Sequence, residues 1–107
     1  MKDYVFVYYS DMSQPMEDVD MEEVKKAWMK WFEEISDNLV DIGSPFNNGA
    51  VELTKGRETV LKPDMFPASG YSIVKAKSME DAVAIAKTNP SQAAPTNSIR
   101  VYEKVPM

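Results

Sequence analysis

Six consecutive residues near the N-terminus, Tyr4 to Tyr9, read YVFVYY, and every one of them is aromatic or β-branched. On a strand Tyr4, Phe6 and Tyr8 face one way while Val5, Val7 and Tyr9 face the other, so both faces are apolar. A strand of this kind has to be covered twice. The chain must therefore supply two packing surfaces for it, or supply one and borrow the other.

The first cover is a helix. Asp20 is a good N-cap with Glu23 at the third helical position, and from Met21 the apolar residues Val24, Trp28, Trp31, Ile35 and Leu39 recur at steps of three and four, flanked by Ala27 and Phe32. This spacing predicts one broad stripe running until the pattern breaks after Asn38. Glu22, Lys26, Lys30, Glu33 and Asp37 lie opposite and read as a solvated face, and Met29 falls off the stripe. Beyond it, VDIGSPFNNG at positions 40–49 holds too many breakers for helix and reads as a connection. Two short strands follow, AVELT and RETVLK, joined at Lys55-Gly56, where glycine supplies the positive φ of a tight hairpin. PDMFPASG is a Pro-bounded loop, YSIVKAK a strand, SMEDAVAIAKTN a helix capped by Ser78 and stopped by Pro90, and SIRVYEKV the last strand.

That order, strand, helix, strand or hairpin, strand, helix, strand, is the split βαβ plan of a ferredoxin-like α+β domain with an antiparallel sheet and two helices on one face. The whole chain, 1–107, reads as one domain of this kind. The other sheet face is left bare, and packing two such faces together gives a symmetric homodimer.

Composition narrows the chemistry. The chain has neither Cys nor His, which removes disulfides, thiolate nucleophiles, the usual zinc and haem ligands and the commonest general base; no cofactor and no metal is expected. Net charge is -5 with only two arginines, Arg57 and Arg100, so no basic stripe exists to meet nucleic acid. No apolar run approaches the roughly 20 residues of a membrane span. The opening MKDYVFVYYSD reads as a strand rather than a signal, so the cytoplasm is the expected location. In the acidic segment MEDVDMEE, residues 16–23, the oxygen ligands lack the spacing of a calcium loop.

Three stretches, KAWMKWFEEISDNLVDIGSPF, LKPDMFPASGYSIVKAKSMEDAVAIAKTNP and SIRVYEKV, resemble the YCII-related proteins, especially the DGPF-like group of the dimeric α/β barrel superfamily. The resemblance spans nearly the whole chain. It rests most on Gly70-Tyr71 opening a strand, the Ser-Met-Glu-Asp-Ala helix start and Asn89-Pro90 at that helix's end. It implies a homodimer formed through sheet faces and a cleft between the sheet and the first helix. Asp64 and Phe66 match the acid and aromatic of the group's Asp-Gly-Pro-Phe-like motif, without the Gly and Pro between them. Some relatives carry a His-Asp pair proposed as catalytic, and a chain without histidine cannot inherit it.

Seven residues are candidates for such a cleft. Trp28 and Trp31 belong to the helix stripe, where aromatic residues usually pack as core; Trp31, nearer the helix end, is the ring expected at a cleft wall. Asp41, Ser44 and Asp64 lie in flanking loops and converge on that wall, unless they serve only as turn residues. Phe66 joins them through the motif. Tyr8 and Tyr71, with Tyr102 beside them, carry hydroxyls that reach either the cleft or the dimer interface. Arg57 and Arg100 are suited to hold a carboxylate, or else are solvated. The function that follows is binding, or transforming, a small partly aromatic molecule. The competing class is a non-catalytic dimeric interaction or regulatory module, favoured by a filled interior and an exposed apolar patch around Met29.

Overall fold

The computed structural model describes residues 1–10, 20–47 and 49–106; residues 16–19 of the acidic segment lie outside them. The described chain runs β1 (Lys2–Ser10), α1 (Met21–Glu34), β2 (Leu39–Pro45), β3 (Ala50–Thr54), β4 (Arg57–Leu61), β5 (Ala68–Ala76), α2 (Met79–Lys87) and β6 (Asn97–Glu103), with short 3₁₀ turns at Pro63–Met65 and Pro90–Ala93. β2, β5, β1 and β6 form one antiparallel sheet in that order, and β3 and β4 form a separate hairpin. The protein is α+β, with two helices and an antiparallel sheet, an arrangement compatible with a ferredoxin-like fold.

Alternation along β1 is realised as an inside and an outside. Tyr4, Phe6 and Tyr8 are buried, and with Val74 and Ala76 of β5 they pack against Trp31 and Ile35, which α1 and its C-cap supply, and Ala82 and Ala86 of α2. Val5, Val7 and Tyr9 lie on the opposite face and stay half-exposed, beside Tyr71 and Ile73 of β5, while Tyr102 of β6 is 49% exposed there. Neither helix covers that face, and the hairpin borders it only at its Tyr9–Arg100 end.

Both helices begin where their caps place them. The Asp20 carboxylate accepts from the N–H groups of Glu22 and Glu23 at 3.0 and 3.4 Å, and the Ser78 hydroxyl accepts from Asp81 N–H at 3.2 Å. The hairpin turns through Lys55 and Gly56, both at positive φ (52° and 81°), the signature of a type I′ turn.

Two features depart from the sequence reading. α1 stops at Glu34, although the apolar period continues through Ile35 and Leu39: Ile35 is its C-cap and is still buried, and Leu39 already opens a strand. The stretch read as a connection is β2, and it, rather than the hairpin, is the strand beside β5; the hairpin stands outside the four-stranded sheet. β2 pairs irregularly, with register shifts between Leu39 and Asp41 and between Asp41 and Ser44, which is how a segment with Gly43 and Pro45 fits an edge.

Gly43 carries that irregularity. It sits at φ +77°, and a Cβ there would come within 1.7 Å of the Tyr71 carbonyl oxygen. Only glycine lets β2 approach β5 so closely. Gly43→Ala is expected to cost at least about 2 kcal/mol by combining left-handed strain with a backbone clash. Denaturant unfolding checks this, and an unchanged midpoint would contradict the close approach.

Candidate functional site

Between β1 and α1 lies a nest of rings. Trp31 is 1% exposed, and its indole N–H donates to Thr88 Oγ1 at 2.8 Å, whose hydroxyl donates in turn to the Ile85 carbonyl at 2.7 Å. Trp28 is half-buried and meets Tyr8 edge-on, with centroids 5.1 Å apart, while Phe32 packs against both indoles. Tyr8 is 7% exposed and donates to Ser72 Oγ at 2.9 Å; Ser72 is fully buried and donates to the Ile42 carbonyl at 2.8 Å. The polar tips of Trp31, Tyr8, Ser72 and Thr88 all have partners. The interval in which the sequence placed a cleft is thus filled, and Trp31, expected at its wall, is the deeper of the two indoles.

The other candidates lie elsewhere. Asp41 Oδ1 accepts the N–H of Gly43 at 2.8 Å and Ser44 Oγ donates to the Pro45 carbonyl at 3.1 Å, so both shape the bulged edge strand. Ser44 is the register partner of Tyr71, whose ring stacks on Phe46 at 5.9 Å and 29°. Asp64 is exposed in the 3₁₀ turn that Phe66 ends, with Phe66 in the left-handed region at φ 58°. The seven candidates are therefore divided by the sheet: Tyr8 and Trp31 lie on the helix side, and Tyr71 on the bare face. Among the described residues no three acids gather as a metal site.

A recess lies on the bare side, with a volume of about 920 Å³, where the hairpin and the Pro63–Met65 turn stand beside the sheet. Its walls include Phe46 and Phe66, its sheet residues include Tyr9 and Arg100, and the hairpin contributes Glu52 and Leu61. The Arg100 guanidinium lies 4.4 Å from the Tyr9 ring centroid, a cation–π stack. The side chain of Tyr102, then that of Tyr9, raises its pKa above the ordinary value; like any arginine it is a permanent cation. Among the described residues no carboxylate forms a salt bridge with it. Of the seven candidates only Phe66 lines this recess. Tyr9, Phe46 and Glu52 were not singled out as binding residues; their one legible signal was Arg100, a charge on a strand whose neighbours are apolar.

Comparison with known protein families and with curated proteins finds no match.

The two indoles are expected to differ in the sense opposite to the sequence reading. Trp31→Ala removes a buried ring together with the partner of Thr88 and should cost about 3 to 5 kcal/mol, with Trp28→Ala costing less. Chemical denaturation of both variants decides it; an equal or reversed order would mean that Trp31 is not the more deeply anchored ring.

Tyr8 gives a pH signature. Burial pushes its phenol up to about 12, with the Ser72 hydrogen bond acting the other way. Because the folded-state value is the higher one, the stabilisation is complete below pH 10 and declines from pH 10 to 12, where the unfolded chain gives up a proton that the folded chain keeps, at up to about 1.4 kcal/mol per pH unit. Tyr8→Phe should flatten the fall of stability over that window. Parallel pH profiles for the two proteins would refute the assignment. Tyr4, raised in the same direction first by burial and then by its hydrogen bond to Glu103, leaves a residual slope in both.

Proposed function

We propose that this chain is the protomer of a ferredoxin-like homodimer of the dimeric α/β barrel kind, closed by packing two bare sheet faces, and that each protomer binds a small, partly aromatic molecule in the recess beside the hairpin. The observation that carries the reading is the uncovered face itself: Val5, Val7, Tyr9, Tyr71 and Ile73 form an apolar patch across adjacent strands that the chain's own helices do not reach.

The resemblance to YCII-related, DGPF-like proteins supports the same assembly, while the ligand-binding part rests on the recess. Aromatic walls with one cation and one acid supply binding and orientation. With no histidine in the chain, the His-Asp chemistry of some relatives has no counterpart in it. A second reading, a non-catalytic dimeric interaction module, is favoured by Val51, Leu53 and Val60 on the hairpin and Met29 on α1, which are 59%, 67%, 69% and 59% exposed respectively, and by the filled interior.

Light scattering at micromolar concentration is expected to give twice the chain mass. Val7→Asp, which places a charge at the centre of the bare face without touching the core, should yield a folded monomer. A wild-type monomer would refute the dimer. A fragment screen read by amide chemical shifts is expected to move the recess residues; a dimer that no small aromatic molecule perturbs there would transfer the assignment to the interaction module.

A further inference from the structure

The recess holds two opposite charges that do not neutralise each other. Arg100 rises from β6 and stacks on Tyr9, Glu52 rises from the hairpin, and both line the same space without forming an ion pair. Around them the wall is mostly apolar, lined by Phe46 and Phe66 and, on the hairpin side, by Leu61. Phe66, which lines the recess, holds a left-handed backbone at φ 58°, a costly conformation for a bulky side chain.

We propose, building on the small-molecule reading above, that the recess is a site for an aromatic monocarboxylate, with Arg100 as the anchor for the carboxylate and the Phe46 and Phe66 rings as the walls for the aromatic group. A guanidinium presents a planar fork of N–H donors that matches a carboxylate in two parallel hydrogen bonds, and stacking on Tyr9 fixes its plane before the ligand arrives. The apolar wall favours a ring over an aliphatic acid of equal charge, because it offers flat surfaces for stacking. Glu52 sets the charge limit: a second carboxylate on the ligand would meet a like charge on the hairpin wall. Arg100 is thus a specificity residue for charge, Phe46 and Phe66 for shape, and Glu52 for the exclusion of diacids.

Titration of the 107-residue chain with four probes tests this, using the amide shifts of Gly49, Ala50, Phe66 and Ala68 as the readout: phenylacetate, the neutral 2-phenylethanol, acetate, and the diacid phthalate. Phenylacetate is expected to bind at least about tenfold more tightly than each of the other three. Arg100→Gln should remove that advantage over 2-phenylethanol, Arg100→Lys should restore part of it, and Glu52→Gln should admit phthalate. Arg100 is exposed on an edge strand, so these variants are expected to fold. Were Arg100→Gln to unfold, the ranking of the four probes on the wild-type chain would decide alone. If 2-phenylethanol matches phenylacetate, or Arg100→Gln leaves the ranking unchanged, the carboxylate assignment falls while the small-molecule reading stands. If no aromatic probe shifts these amides, both fall.

Discussion

The fold depends on how Trp31 is seated. α1 reaches the sheet through long side chains and α2 through short ones: Trp31 and, just past the helix, Ile35 on one side, Ala82 and Ala86 on the other. Large rings under one helix and methyl groups under the other fill an interlayer space that neither helix fills alone. Trp31 locks the arrangement because its indole N–H finds Thr88 at the end of α2, tying together two helices that lie far apart in sequence. A tryptophan can be buried so deeply only when its one polar atom is satisfied, and Thr88 satisfies it while donating its own hydroxyl to the last turn of the helix. With that interval occupied, room for a ligand is left on the other side of the sheet.

The parts of this arrangement legible in the sequence are those encoded locally. Asp20 and Ser78 act as caps through atoms two or three residues away, the Lys55-Gly56 turn needs only its own dihedral angles, and the alternation of YVFVYY declares two faces without reference to the rest of the chain. Where longer-range packing decides, local signals misled. Gly43 and Pro45 look like breakers, yet an edge strand tolerates both once bulges absorb the mismatch, and Gly43 is there because β5 lies too close for a side chain. Ile35 and Leu39 continue the helical period beyond the helix because core contact, rather than helical geometry, keeps them apolar. The depth of Trp31 relative to Trp28 depends on Thr88, 57 positions away, which no helical pattern can reveal. The recess is harder still. It gathers residues from β1, the end of β2, the hairpin, the turn before β5 and β6, and its charges become meaningful only when Arg100 is seen over Tyr9 with no acid among the described residues paired to it.

The bare face and the recess are physically coupled, since Tyr9 and Arg100 belong to both. Packing a second sheet over this face would strip water from a guanidinium that pairs with no acid among the described residues, and desolvating a cation without a counter-charge costs several kcal/mol. The stack on Tyr9 offsets part of that cost; a ligand carboxylate would offset more, and in a medium drier than water the pairing strengthens. Whatever bound Arg100 as an anion would then favour the closed dimer over separate chains, and by the reciprocity of linked equilibria the dimer would favour the anion. Assembly and ligand binding would in that case be two readouts of one desolvated charge, and Tyr9, common to the sheet face and the recess floor, is the side chain through which each would feel the other.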